Sequence, residues 1–469
     1  MKKTNKILAV FMALTLVFLA ACNNTKDADP AVVPQTTDTT ADPNDPFAVV
    51  IPTETRTIRI GTWYDEYYDS THDSIYANPQ ISDEFRAQTA FDNLKVVEDR
   101  YNVRFQYVNL TWEGCIESIN TSIMAGAPDC DIYMVDLQFG IPAVLNGYAQ
   151  SLNSFLPADN DVLTDQIVLK HLNILDDANN YLFTPQARNA EGYPLGFNVD
   201  MIKAANLEDP RDLYDRGEWT WDVWKDYLIQ LTQDVDGDGV TDIYGYGGYW
   251  TNMLENMLSA NNTYIAGSMQ QGLDDPATLE VFQFFHDIYQ VDKTARPWIE
   301  EDWEVNLRPF TDGIMAFFVI KDWIVQNFAS SGEDLSYELG VVPWPYGPNG
   351  TKEDSQKFVA AGNWHIVPVG VSDPALVYAA YFDYINWFDY DVEWRDEGGM
   401  FDWQAEQYLN ERNFQMAIEN GAIPSFDLWE KLGTDFSMVP ILNGEKTPAQ
   451  HAEESRQIIQ EALDIYFGS

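Results

Sequence analysis

Cysteine, histidine and basic side chains are scarce in this sequence. Its 469 residues include three cysteines and five histidines. No Ser/His/Asp set and no Cys/His set with metal-ligand spacing stands out, and His365, beside Trp364, is more simply a core or cleft residue. The sequence therefore gives no positive sign of nucleophilic catalysis or of a transition-metal centre.

The shortage of basic residues excludes whole classes of partner. Lys and Arg number 27 against 74 Asp and Glu, which gives a formal net charge of −47. A field of this sign repels phosphate backbones and anionic lipid, so nucleic-acid binding is not expected. A polyanionic ligand would need a local basic pocket, and the sequence has no Lys/Arg cluster that would build one. The charge is typical of a protein kept soluble outside the cell.

Two of the three cysteines, Cys115 and Cys130, are predicted to be buried thiols. Cys115 lies near the start of a predicted helix, and Cys130 opens the strand that follows it. The helix between them would hold them about 15 Å or more apart at 1.5 Å per residue, which is a poor geometry for a disulfide.

Apolar side chains, by contrast, are plentiful. The sequence is 45% hydrophobic and 14% aromatic, so it can bury large cores. A chain of this length is too long for one core and suggests two domains of ordinary size.

The third cysteine, Cys22, ends a segment with the features of a secretion signal. A basic start, MKKTNK, precedes the apolar run ILAVFMALTLVFLAA, which is too short for a comfortable transmembrane helix. The tetrapeptide LAAC resembles the bacterial lipobox, which implies that residues 1–22 form a lipoprotein signal peptide and that Cys22 carries lipid such as palmitate. An ordinary signal peptide with an incidental cysteine is the alternative. Residues 23–55, rich in Pro, Thr, Asp and Asn, are predicted to be a disordered linker between this anchor and the domain.

Strand and helix patterns alternate after the linker. The stretches TIRIGTW, RFQYVNL and CDIYMVD indicate strands, and the segments between them indicate helices. Such alternation predicts an α/β domain with a largely parallel sheet, whose ligands bind at the loops that follow the strands. Further helices are predicted from Thr220, Asp275 and Ser372 as N-caps.

Several motifs occur together in a recognisable order. They are SIMAGAPDCDIYMVD, YPLGFNVDMIKAANLEDP, WTWDVWKDY and FTDGIMAFFVIKDW. With them the chain resembles the extracellular solute-binding proteins of family 1, the sugar receptors of ABC importers, to which maltose-binding protein belongs. The match departs from the family pattern at Phe197 and Val199, where relatives have Tyr and Lys, at Trp224, where they have Phe, and at Met315–Ala316, where the order is exchanged.

The resemblance implies an α/β fold of the type II periplasmic-binding-protein kind, with two lobes joined by crossing strands at a hinge. By this reading lobe 1 spans residues 56–185, lobe 2 spans 186–316, the chain returns to lobe 1 over 317–386, and residues 387–469 form C-terminal helices of lobe 2. It also implies a monomer that closes over a carbohydrate and does not change it chemically. The protein would deliver this ligand to the permease subunits of an ABC importer in the cell membrane.

The stretch DVDGDGVTD resembles most of a calcium-binding loop, with oxygen ligands at alternate positions and Gly239 at the sharp turn. The predicted ligands are Asp234, Asp236, Asp238, Val240 (through its carbonyl) and Asp242. An EF-hand would have its closing Glu where Gly245 stands, so a structural Ca²⁺ is expected rather than a sensor. The alternative is an Asp-Gly turn without metal.

The candidate ligand-binding residues are aromatic and polar side chains at predicted strand ends, because aromatic rings stack on sugar faces and polar groups bond to hydroxyls. They are Trp63, Tyr64, Asp65, Trp112, Asp136, Arg188, Trp250, Trp323 and Trp364. Arg188 could instead form an interlobe salt bridge.

Two other functions remain open at the level of sequence. A secreted carbohydrate-active enzyme is one, because a pair of catalytic carboxylates cannot be told apart in a chain so rich in Asp and Glu. A surface adhesin that binds glycan without delivering it is the other. The receptor interpretation, with no catalytic residues, is the preferred one.

Overall fold

The computed structural model describes the chain from residue 49 to residue 467, with gaps. The gaps are 66–67, 79–80, 82–83, 159, 161–162, 164–178, 185–191, 268–269, 300–302, 322–323, 326–334, 359–361, 388–404, 406, 424 and 426. The predicted signal peptide, Cys22 and most of the predicted linker lie outside the described residues.

Within the described ranges, eight strands form two four-stranded sheets. The strands are β1 (Arg56–Thr62), β2 (Val103–Asn109), β3 (Ile132–Val135), β4 (Leu195–Asn198), β5 (Tyr244–Tyr246), β6 (Met315–Val319), β7 (Leu339–Val342) and β8 (Trp364–Ile366). The first sheet has the order β2-β1-β3-β8 and the second the order β5-β6-β4-β7.

Helices follow most of the strands. The α-helices are α1 (Glu84–Tyr101), α2 (Trp112–Ser118), α3 (Leu137–Leu145), α4 (Val199–Ala204), α5 (Pro210–Asp215), α6 (Trp221–Leu231), α7 (Trp250–Ala260), α8 (Pro276–His286), α9 (Trp303–Thr311), α10 (Pro374–Ile385), α11 (Glu411–Asn420), α12 (Val439–Leu442) and α13 (Pro448–Phe467). Two π-helical turns, Ile119–Ile123 and Asp287–Val291, extend α2 and α8, and 3₁₀ turns occur at Ile75–Ala77, Leu152–Ser154, Asp354–Gln356 and Trp429–Leu432.

The first sheet is the α/β unit that the sequence predicted. β1 pairs in parallel with β2 and β3, while β8 runs antiparallel to β3. The inward residues of β1, Ile58 and Ile60, are fully buried. Burying an aliphatic side chain of this size contributes about 2 kcal/mol each, so the alternating pattern fixes which face of the strand meets the core.

Three of the four strands of the second sheet are buried along their whole length. Every residue of β4, β6 and β7 is buried, and such continuous apolar runs mark strands covered on both faces. Trp224 and Trp344 lie in this core, with ring centroids 5.7 Å apart and planes at 90°. Most tryptophans among the described residues are buried in the core, as the sequence suggested.

The return to the first sheet comes later than the sequence indicated. The predicted boundary at 317 falls inside β6, which pairs with β4 and β5 in the second sheet, and β7 belongs there too. The chain rejoins the first sheet only at β8. A buried strand has the same apolar run in either lobe, so its sequence carries no information on which sheet it joins. Near the C-terminus, α11 packs on β7 and α13 on α8, both in the second lobe.

The predicted helix caps are correct in two cases of three. The Thr220 side chain accepts from the Val223 amide at 3.4 Å, and Asp275 caps α8 through the Ala277 amide at 2.9 Å. Ser372 is wrong as the cap of α10, because the residue before the helix is Asp373, in the left-handed region at φ 50°. Pro374 then occupies the first helical position, where its fixed φ suits the helix and its missing N–H costs nothing.

Both described cysteines are free and buried, which confirms the thiol prediction. Burial raises the pKa of each thiol to about 12, so both are protonated and unreactive at neutral pH. Among the helices of the described residues, none combines the length and the hydropathy that a membrane crossing requires.

Candidate functional site

An aromatic cluster lies where the parallel strands of the first sheet end. Trp63 follows β1, and Trp112 begins α2 shortly after β2. Their ring centroids are 5.3 Å apart, edge to face, and Trp63 lies 5.8 Å from Tyr64 in the same type of contact. All three rings are half-buried. They therefore form a wall of which part is open to a ligand.

Asp136 comes directly after β3 at the same edge. Its carboxylate accepts from the Gln138 amide at 2.9 Å and caps α3. Because α3 begins here, its side chain is held at the positive end of a helix. The side chain is 9% exposed, and burial raises its pKa above the ordinary value.

A second set of aromatic rings surrounds the end of the second sheet. Lys321 follows β6, and its ammonium lies 4.9 Å from the ring centroid of Tyr193 and 4.6 Å from that of Tyr249. Trp298 packs against Tyr249 at 6.3 Å. These side chains are half-buried. Cation–π contact with two rings fixes the position of the ammonium.

The two edges face one another. Gln138, on the first lobe, donates through Nε2 to Oε1 of Glu430 at 2.6 Å. Glu430 lies in the turn Trp429–Leu432, and Trp429 of that turn stacks on Trp250 of α7 with centroids 5.8 Å apart. The charges of Lys321 and Asp136 also influence one another across the gap. The lobes are thus in contact at this level.

Buried charges gather around that contact. Lys431, whose side chain is 1% exposed, forms an ion pair with Glu255 of α7 and lies 3.8 Å from Oε2 of Glu430. Burial would lower the pKa of Lys431, but Glu255 and Glu430 outweigh this effect and raise it, so the ammonium stays charged. Burial raises the pKa of Glu430 to about 7, and the charges of Glu255 and Asp136 act in the same direction.

The family model for bacterial extracellular solute-binding proteins matches residues 88–388. That stretch is well over half of the chain and includes strands of both sheets. The chain belongs to this family. The family prediction made from the motifs is confirmed, and family membership places this solute-binding protein outside the cytoplasm.

Solved structures of sugar receptors share the fold of this solute-binding protein. A cyclic alpha-maltosyl-1,6-maltose binding protein from Arthrobacter globiformis is 18% identical with a TM-score of 0.59, over 87% of this chain and 99% of that one. An ABC substrate-binding protein from Listeria monocytogenes in complex with cycloalternan is 14% identical with a TM-score of 0.59, over 87% and 99%. A maltose/maltodextrin-binding domain from Bdellovibrio bacteriovorus bound to maltotriose is 16% identical with a TM-score of 0.57, over 87% and 99%. At such identities the likeness confirms the two-lobe fold. No curated protein matches the chain significantly.

The remaining predicted ligand residues of this solute-binding protein differ in position and exposure. Trp250 begins α7 and is 8% exposed, packed on Trp429. Trp364 is a residue of β8 with 1% exposure, so we assign it to the core rather than to a ligand wall. Asp65 is exposed next to the first aromatic cluster. Arg188 and Trp323 lie outside the described residues.

The aspartate loop connects α6 with β5 in the second lobe. Carboxylate oxygens of Asp234, Asp236 and Asp242 lie within 4.8 Å of one another on the surface. Both oxygens of Asp234 accept backbone N–H groups, from Gly237 and from Gly239, each at 2.8 Å. The two glycines have φ of 77° and 88°, which side chains rarely adopt.

Asp238 and Gly245 do not provide carboxylate ligands to this group in the structure. Asp238 lies outside the group of three carboxylates and instead accepts from the Val240 amide at 2.8 Å. At Gly245 a Cβ would lie 2.8 Å from the backbone of Leu228. A closing Glu could not be accommodated there without moving α6.

Sequence reasoning predicted Trp250 on the second lobe but missed Lys321, Tyr249, Glu255 and Glu430. Lys321 and Tyr249 follow β6 and β5, so the rule that ligands bind beyond strand ends could have found them. Glu255 and Glu430 gave no such signal, because they are two among 74 acidic residues and their burial depends on packing between distant segments.

Proposed function

We propose that this solute-binding protein is the receptor of an ABC importer that captures an uncharged carbohydrate, of oligosaccharide size, between its lobes. The observation that supports the proposal is the pair of aromatic sets at facing sheet edges, each beside charged or amide groups. Indole and phenol rings stack on the CH faces of a sugar, while Asp136, Gln138 and Lys321 can bond to its hydroxyls.

The ligands of three related structures support the same class, although another neighbour of this fold binds glycerophosphocholine. The three proteins named above bind cyclic alpha-maltosyl-1,6-maltose, cycloalternan and maltotriose, which are all uncharged oligosaccharides. Closure would follow from binding, because a ligand that touches both lobes favours the form in which both touch it. A permease in the membrane would then recognise the closed form.

Calorimetry and thermal shift against linear and cyclic oligosaccharides test this proposal. We expect one or more to bind and to raise the melting temperature, and the Trp63→Ala variant to lose at least tenfold in affinity. Phe85→Ala is the matched control, because Phe85 is a first-lobe aromatic side chain with 68% exposure and lies outside the two clusters. If no oligosaccharide binds, or if both variants behave alike, the carbohydrate assignment fails.

Recovery of the ligand separates a receptor from an enzyme. After hours of incubation with wild-type protein, mass spectrometry should return the oligosaccharide at its original length. Shorter products would favour the alternative of a secreted carbohydrate-active enzyme.

We also propose that the aspartate loop binds a structural Ca²⁺. Carboxylates this close repel one another, and a divalent cation with oxygen preference would offset the repulsion. Asp234, Asp236 and Asp242 would supply carboxylate oxygens and Val240 its carbonyl, while Asp238 would have to turn inward. The absence of a closing Glu favours a fixed clasp over a switch.

We further propose that Cys22 is the lipid attachment site and that the protein is held at the outer face of the cell membrane. The proposal depends on the LAAC motif alone. A Cys22→Ser variant should appear in the culture medium, whereas wild-type protein should fractionate with membranes. Equal distribution of the two would contradict it.

A further inference from the structure

The buried charges at the contact between the lobes do not balance. Three carboxylates gather there, those of Asp136, Glu255 and Glu430, with the ammonium groups of Lys431 and Lys321. Lys431 forms its ion pair with Glu255 and also lies 3.8 Å from Oε2 of Glu430, whose pKa it lowers. Lys321 is shared between two tyrosine rings and the remaining pair of carboxylates. Among the described residues, carboxylates therefore outnumber ammonium groups at this contact, where most of the side chains are buried and an uncompensated charge is costly.

Glu430 is the member of the cluster that faces both lobes. From the first lobe, Gln138 donates to its Oε1 and Asp136 lies at the start of the same helix. From the second lobe, Glu255 and Lys431 are its buried neighbours, and Lys321 lies farther off.

Two other described titratable groups lie near this turn, Asp427 and His451. The buried carboxylate of Asp427 accepts the backbone N–H groups of Ile265, Ala266 and Trp429, all in the second lobe, so opening leaves these bonds in place; burial raises its pKa. His451 lies on α13. Burial lowers the pKa of His451 to about 4, so it stays neutral at the pH values of interest.

Opening the lobes changes the surroundings of Glu430 more than those of the ion pair beside it. Separation removes the N–H donor of Gln138, which favours the ionised carboxylate, but it also removes burial and the charge of Asp136, which favour the protonated form and outweigh that donor. Lys431 and Glu255 both belong to the second lobe and stay paired. An exposed Glu has an ordinary pKa of 4.5, whereas the closed contact favours the protonated form.

We propose that closing the lobes over a ligand takes up a proton at Glu430, so that this receptor binds more tightly in mildly acidic medium. The inference rests on the proposed function insofar as ligand binding requires closure. It adds a residue that senses pH to the binding site and makes affinity depend on the acidity outside the cell.

The direction of the pH effect on affinity follows from the linkage between proton binding and lobe closure. The closed state has the higher proton affinity at Glu430, with a pKa of about 7 against the ordinary 4.5. Closure therefore becomes more favourable as the pH falls below about 7, and the gain is complete near 4.5. Affinity should be about 70-fold higher at pH 5 than at pH 8, and on the order of 10- to 400-fold higher when the pKa is taken as good to one unit.

Two measurements on the full-length mature protein test the inference. The first needs no ligand: small-angle scattering should show the radius of gyration falling between pH 8 and pH 5 in wild type as the closed fraction grows. The second uses maltotriose, or whichever oligosaccharide binds, in calorimetry with buffers of different ionisation enthalpy. It should report about 0.9 proton taken up per ligand at pH 6 and about 0.1 at pH 8.

Glu430→Gln is the decisive variant, because its side-chain oxygen can still accept from Gln138 while no proton can be taken up. We expect it to lose both pH responses and to bind at pH 8 about as tightly as wild type at pH 5. Glu445→Gln, on an exposed loop of the second lobe, is the control and should keep both responses.

The outcomes distinguish this inference from the proposed function. Ligand binding with no pH slope and no proton uptake overturns the inference and leaves the receptor assignment intact. Failure of every oligosaccharide to bind overturns the carbohydrate assignment, while scattering still decides the inference. If the Glu430→Gln variant keeps its pH response, the proton-uptake inference is overturned, whether or not an oligosaccharide binds.

Discussion

The amide of Gln138 and the carboxylate of Glu430 join the two lobes at 2.6 Å, although 292 positions separate them in the chain. This bond joins α3 of the first lobe to the turn that contains Lys431. Loss of either side chain would remove this bond between the lobes, so closure should be sensitive to a single substitution.

Replacement of Gln138 by Ala should weaken ligand binding by roughly 10-fold. A hydrogen bond to a charged or partly charged acceptor contributes about 1.5–3 kcal/mol, and the closed form alone contains this bond. Calorimetry at pH 7 measures the effect. Gln457→Ala, at an exposed position of α13, should bind like wild type; an unchanged affinity in Gln138→Ala would show that the bond does not contribute to closure.

Replacement of Lys321 by Met should shift the pH dependence of binding towards higher pH. The ammonium lowers the pKa of both Asp136 and Glu430, so its loss raises both and protonation begins earlier as the pH falls. The midpoint of affinity against pH measures the shift. Lys203→Met, on an exposed surface pair with Glu338, is the control, and a midpoint that moves down or stays in place would contradict the assigned geometry.

Replacement of Lys431 by Met should destabilise the protein by about 3–5 kcal/mol, because it leaves Glu255 buried without its partner. Denaturant unfolding measures this. The double variant Lys431→Met, Glu255→Gln should recover much of the loss, since both charges are then gone. Equal stability of the single and double variants would show that the ion pair is not what holds the lysine in place.

Removal of calcium should lower the melting temperature without lowering ligand affinity. The same result is expected for the Asp236→Ala, Asp238→Ala double variant, because the loop lies on the surface of the second lobe. Scanning calorimetry with and without EDTA measures the shift. Asp435→Ala, an exposed acidic position elsewhere, should show the same EDTA effect as wild type, and a lost binding site with unchanged stability would make the loop functional rather than structural.

The sequence by itself determined the elements and the class of protein. Ile58 and Ile60 alternate with polar residues and predict a half-buried strand; Thr220 and Asp275 can cap helices because their side chains reach an amide two or three residues on. These are interactions between neighbours in the chain, so local sequence contains them. The motif order was enough for the family, and the strand-end rule predicted that Trp63, Tyr64, Trp112 and Asp136 follow strands of the first sheet, where the structure has them.

Tertiary structure alone decided where the strands belong and which charges are buried. β6 looks the same in sequence whichever sheet it joins, so the return point was predicted too early. Trp364 and Trp63 are both tryptophans near strand ends, yet one is buried within β8 and the other is half open. The environment of Glu430 is built from Asp136, Glu255 and Lys321, and the cost of burying its charge arises only once those distant segments are packed together.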